Sequence, residues 1–199
     1  DHGLLVVYAN WSYLKNHALD NGAFRNLALE WVAYVAGKRE SRRLMGDVVL
    51  TQNDILRQVA YEDASVTTSW TIDLHYPDPK NTRFFSGDEF KAVCNQEEIE
   101  LYPIPYRCFY SRNVSNLFMA GRNISVTHVA LGTVRVMRTT AMMGEVVGMA
   151  AAVCRRHDVL PRTVYTSYLP ELRSLMQKGC GQQDLPNNQQ FNIGRRKHH

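Results

Sequence analysis

The stretch from Asn116 to Ala152 holds residues whose types and spacing could do chemistry. A short apolar run, Leu117 to Ala120, leads into Gly121. A glycine there lets backbone approach a ligand closely, where a side chain would collide. A loop carrying His128 and Arg135 follows, and then a helix is expected over about 138–157. Along that helix Gly144, Gly148 and Ala152 recur at four-residue spacing, a small-residue stripe against which another backbone or a ligand can lie. Its first turn, near Arg138 to Ala141, would present N–H groups without intrahelical partners and a positive dipole end, which suits an anion.

Each remaining candidate carries two readings. His128 is either a surface hydrogen-bonding residue or an acid/base group, since imidazole titrates near neutral pH. Arg135 is either a solvated helix cap or a cofactor contact. Asp73 and His75, two apart on an expected strand, share one face. They form either a solvated hydrogen-bonded pair or a proton-handling pair beside a substrate. Arg42 and Arg43 either join a surface cluster with Glu40 and Asp47, or one of them faces an anionic group. Tyr106 and Arg107 follow a stiff Pro-x-Pro turn that could aim them into a site or serve structure alone. Met137, Met142, Met143 and Met149 read as core packing. The cysteines, Cys94, Cys108, Cys154 and Cys180, form no CxxC pair and no His cluster at ligand spacing accompanies them, so no metal site is expected.

The elements that must position these groups can be outlined. Phe24, Leu27, Ala28, Trp31, Val32 and Val35 recur on one helical face, which predicts a helix over 24–38 ending near Gly37. Leu44 to Leu50 reads as a strand. Thr51 is a good N-cap for a helix over about 52–60. Residues 68–75 alternate as a half-buried strand, and 76–88 read as a long loop. Ile99 to Tyr102 and Leu117 to Ala120 read as further strands. A last helix over 167–178 would be capped by Thr166 and closed by Gly179. The Gln/Asn/Gly-rich tail from 180 to 199 reads as disordered.

Bulk properties exclude some classes. With 199 residues, 45% apolar and 21% charged, the chain has the composition of a globular protein. The net charge of +4 is partly a tail effect of Arg195, Arg196 and Lys197, and no basic tract with interleaved aromatics suggests nucleic acid. No apolar run is long enough for a membrane span. Compartment and oligomeric state are not written in the sequence.

Three segments together carry a resemblance: Gly37-KRESRRLMGDVVLTQNDI, Trp70-TIDLH, and Tyr102-PIPYRCFYSRNVSNLFMAGRNISVTHVALGTVRVM. They resemble a bacterial family of FAD-dependent oxidoreductases within the superfamily that has a glutathione-reductase-like FAD domain, over about 30–170. The resemblance implies an α/β fold, of which this chain is the C-terminal portion: a mixed sheet with flanking helices, without the N-terminal dinucleotide-binding βαβ unit. It implies a substrate-side region over 1–110, the closing strand and helix of the FAD domain over 111–160, and a C-terminal helix over 161–179. It implies that Ala120, Gly121, Arg122, Asn123, Arg135, Val136, Met137 and Thr139 line the FAD. His128, His75 and Arg42 become the candidate catalytic residues.

Two departures from the superfamily stand out. An Asp or Glu usually follows Ala-Gly to bond a ribityl hydroxyl, whereas this chain has Arg122, which could donate to pyrophosphate or ribityl oxygens instead. No GxGxxG occurs, so the chain by itself is expected to bind FAD weakly. The expected function is hydride transfer from a small organic substrate to flavin, with an electron acceptor, both unidentified. The alternative is a non-catalytic binding or structural remnant of the flavoprotein fold.

Overall fold

The structure, a computed structural model, describes residues 2–18, 21–35, 37, 39–77 and 92–179. The chain divides into two compact units, Asp1–Glu40 and Ser41–His199.

In the first unit, α1 (His2–Asn16) is followed by the single turn α2 (Asn21–Phe24). The Lys15 ammonium ties the two together by donating to the carbonyls of Phe24, Arg25 and Leu27 at 3.1, 2.9 and 2.9 Å. The helix expected over 24–38 does not form: residues 25–35 are turn and coil. Its intended apolar face is open, with Trp31 77% and Val35 75% exposed. An isolated helix of that length is marginal in water, and a stripe without a facing surface gives it no packing.

The second unit begins with α3 (Gln52–Leu56), shorter than expected but capped as expected. The Thr51 hydroxyl accepts from the Asp54 N–H and the Asp54 carboxylate accepts from the Thr51 N–H at 2.8 Å, a complete capping box. Next come β1 (Ala64–Thr68), β2 (Ile72–Pro77), β3 (Ala92–Glu97) and β4 (Tyr102–Pro105), then a 3-10 turn over Tyr106–Cys108. Four helices close the unit: α4 (His128–Val134), α5 (Met137–His157), α6 (Pro161–Ser167) and α7 (Leu169–Lys178). The fold is thus helices with small antiparallel sheets. The strand expected over 68–75 is two strands with a break at 69–71, because β1 pairs with β4 while β2 pairs with β3. The strand expected over 99–102 begins at Tyr102 and runs through Pro103 and Pro105. Proline is tolerated there because β4 has a partner on one side only.

Around these sheets lies an irregular layer held by backbone bonds. The expected strand 44–50 contributes one parallel bridge, Leu50 to Val126, and the Leu44 and Leu50 N–H groups donate to the Asn123 and Ser125 carbonyls. The run 117–120 pairs within the chain: Phe118 bridges Tyr110, and the Met119 N–H donates to Phe109 at 2.7 Å. Leu117 and Phe118 are half-buried and Met119 is fully buried.

The core is built of Leu50, Ile55, Val66, Ile104, Phe109 and Ile124, against which α5 lays Met142, Val146, Ala150 and Val153. That spacing is one helical face. Tyr106 is fully buried, its hydroxyl donating to the Pro161 carbonyl at 2.8 Å, and Arg107 grips the buried Asp63 carboxylate at 2.8 and 2.9 Å. The Pro-x-Pro turn therefore aims both residues inward for structure. Burial pushes the Tyr61 phenol up to about 12, so it stays protonated. Asp47 accepts from Arg162 and Tyr110, and the Arg162 guanidinium holds its carboxyl below the usual range.

Two further expectations about the helices are corrected. The final helix is split at Tyr168, which caps α7 in place of Thr166, while Gly179 closes it as expected at φ +66°. The stripe Gly144, Gly148 and Ala152 is exposed, and an added Cβ at either glycine would meet nothing within 4 Å. The expected loop over 76–88 begins with the end of β2 and otherwise lies outside the described residues, as does the tail from 180.

Candidate functional site

The turn 120–123 is fixed from both sides. Met119 is tied to Phe109 just before it, and Ser125 donates to the Cys108 carbonyl just after it. Gly121 sits at φ +95°, a conformation that favours glycine, and a Cβ there would meet nothing within 4 Å. Ala120, Arg122 and Asn123 are exposed. Arg42 is exposed two residues before Leu44, whose N–H donates to the Asn123 carbonyl at 2.9 Å, so its backbone flanks this turn.

The start of α5 is the second part. Val136 is the N-cap and has no side-chain cap hydrogen bond. Met137 is 88% exposed. The Thr139 side chain is buried and donates to the Thr68 hydroxyl at 3.0 Å, which leaves only its backbone for a ligand. The expected start near 138 is met within a residue, but the preceding loop is not all loop. His128 is the first residue of α4, exposed, with its ring 6.0 Å from that of Tyr76.

The third part is the polar face of the β2–β3 ladder. His75 Nε2 lies 3.1 Å from Asp73 Oδ2, a hydrogen-bonded pair with His75 exposed. Register sets Cys94 opposite His75 and Gln96 opposite Asp73. The Cys94 thiol and the Gln96 amide each donate to Asp73 Oδ1 at 3.5 Å. Arg135 reaches this face from the other side, donating to the Asp73 carbonyl at 2.8 Å and standing 3.6 Å from its carboxylate. Since Arg135 directly precedes the N-cap of α5, the β2–β3 face and the start of α5 are physically joined. Partial desolvation would raise the Asp73 carboxyl, but the bonds from His75, Cys94 and Gln96 outweigh it and hold it below the usual range. Local desolvation and the Asp73 carboxylate together raise the Cys94 thiol.

Gly132 shows how closely α4 sits on β2. A Cβ on Gly132 would stand 3.0 Å from the Asp73 carbonyl oxygen and 3.1 Å from its nitrogen, so the helix lies directly on the strand backbone. Cys94, Gln96 and Tyr76 were not foreseen. No local signal marks them; only strand pairing brings Cys94 to His75.

The model of the FAD dependent oxidoreductase family matches residues 5–176. The chain belongs to that family. Among curated proteins and among solved structures, nothing matches it. Membership implies FAD binding and flavin-linked redox activity. The residues fit such a group: the backbone at Gly121 is open to a close neighbour, and the 21-residue α5 begins without a side-chain cap. No helix among the described residues is long and apolar enough to cross a membrane.

Proposed function

We propose that this member of the FAD-dependent oxidoreductase family contributes the flavin-facing part of a site that takes a hydride from a small organic substrate. The observation that supports it most is Gly121, a positive-φ glycine with open space where its side chain would be, inside the family-matched segment. When bound, the cofactor supplies the ring that accepts the hydride. Ala120, Gly121, Arg122 and Asn123 would line its ribityl and pyrophosphate side, where the Arg122 guanidinium donates to oxyanions. Arg135, Val136, Met137 and the Thr139 N–H would lie at the pyrimidine edge, where the dipole of α5 favours negative charge. Arg42 would hold an anionic group of the substrate or cofactor. His128, exposed at the start of α4, would take the substrate's proton. The electrons leave to a separate acceptor.

Met137→Asp tests the reading at the start of α5. A carboxylate in a helix's first turn stabilises the helix by about 0.3–1 kcal/mol. If that turn faces the flavin, the same charge repels the ring's anionic edge. FAD affinity then falls roughly fivefold to tenfold, corresponding to on the order of 1 kcal/mol. A variant that melts higher and holds less flavin supports the proposal. One that melts higher with unchanged flavin affinity removes α5 from the site. A protein expressed from its complete coding sequence with no flavin absorbance favours the non-catalytic remnant.

A further inference from the structure

The β2–β3 face gathers three different metal-ligating side chains, Asp73, His75 and Cys94, whose donor atoms all lie within 4.8 Å of one another. Their spacing is telling. Asp73 Oδ1 is 3.0 Å from His75 Nε2 and 3.5 Å from Cys94 Sγ. With zinc–ligand distances near 2.0–2.3 Å and tetrahedral angles, the nitrogen–oxygen edge should be about 3.4 Å and the sulfur–oxygen edge about 3.6 Å. Two of the three edges therefore need to change by only tenths of an ångström to close on an ion, and the third, His75 Nε2 to Cys94 Sγ, lies within 4.8 Å.

From this cluster we infer that the chain holds a zinc-type divalent cation between Asp73, His75 and Cys94, with a fourth position open to water or an oxygen of a bound molecule. A thiolate, an imidazole and a carboxylate form a borderline-soft set with two negative charges, which suits Zn2+ and disfavours Mg2+ or Ca2+. The frame is rigid where it matters. Asp73 and His75 share one strand face, and Cys94 is the register partner of His75 on the neighbouring strand. Two neighbours bear on the carboxylate. The Gln96 amide must give up its 3.5 Å contact with Oδ1. The Arg135 guanidinium, 3.6 Å from Oδ2, places a positive charge beside the carboxylate. The inference does not depend on the flavin reading, because its three ligands all lie on the β2–β3 ladder.

The test uses Co2+ as a spectroscopic stand-in, titrated into the metal-free, reduced 199-residue chain. One equivalent should bind with the strong visible bands of a tetrahedral site and a thiolate-to-cobalt charge-transfer band, and Zn2+ should displace it. Cys94→Ser should abolish the charge-transfer band and weaken binding by at least about 100-fold, and Asp73→Asn should weaken it by about 10- to 100-fold. Cys154→Ser should change nothing. The double change His198→Ala/His199→Ala should also change nothing, which excludes the terminal histidines. Weak octahedral bands without a thiolate signature, an unchanged spectrum in Cys94→Ser, or loss of binding in the terminal-histidine variant would each overturn the site.

Discussion

Replacing Gly132 with alanine perturbs the contact between α4 and β2 on which the site rests. The new methyl would stand 3.0 Å from the Asp73 carbonyl oxygen, 3.0 Å from Leu74 Cδ2 and 3.1 Å from the Asp73 nitrogen. Two of those three atoms are backbone and cannot rotate away, so helix and strand must part by a few tenths of an ångström. Alanine is intrinsically better than glycine in a helix by about 1 kcal/mol. Overpacking a buried contact costs about 1–3 kcal/mol. The net effect is a loss of about 1 kcal/mol, or about 2–4 °C in melting temperature for a domain of this size. Gly148→Ala is the matched control. It lies on the exposed face of α5 with nothing within 4 Å, so only the helix preference remains and stability should rise by about 0.5–1 kcal/mol. Thermal melting followed by circular dichroism reads both. A Gly132→Ala protein that melts above its parent would refute the contact, because the methyl would then have found room.

Arg107→Met strips both side-chain bonds from a carboxylate whose side chain is 0% exposed, so it should cost about 3–5 kcal/mol in chemical denaturation. Adding Asp63→Leu to that variant should recover most of the loss, since an apolar pair leaves no buried charge. Glu171 accepts from His157 and also pairs with Arg156, bonds that hold its carboxyl below the ordinary glutamate value. A depressed carboxyl contributes stability above its ordinary value and loses it as pH falls through the folded value. Glu171→Gln should therefore melt lower at neutral pH, and the gap should close as the buffer is taken below the usual glutamate range. A gap constant with pH would mean that the charge contributes nothing.

What could be read from the sequence was what local chemistry decides. Thr51 announced a helix N-cap, α5 announced itself by periodicity and length, and the two-residue spacing of Asp73 and His75 announced a shared face. What could not be read depended on partners distant in sequence. The stripe from Phe24 to Val35 has helical spacing, but among the described residues Trp31 and Val35 stay exposed. Residues 68–75 look like one strand because alternation does not reveal that its halves choose different neighbours. Pro103 and Pro105 look like stops, yet an edge strand accepts them. Cys94 sits in an exposed polar run, and only the β2–β3 register sets it against His75. The small residues of α5 promised a close neighbour, but among the described residues their face is open. In the turn 120–123, residue type marked Gly121, whose φ of +95° is a conformation that favours glycine.

The flavin content of Gly121→Val, in protein expressed from the complete coding sequence, tests the central claim most directly. Gly148→Ala serves as the comparison, and bound flavin is read by absorbance alongside the melting temperature. At φ +95° a branched residue strains the turn locally, and its side chain fills the space open beside the backbone. The account predicts that Gly121→Val keeps its fold and loses its FAD while Gly148→Ala remains folded. A Gly121→Val protein that retains wild-type flavin stoichiometry would contradict it, because the turn 120–123 would then not lie against the cofactor.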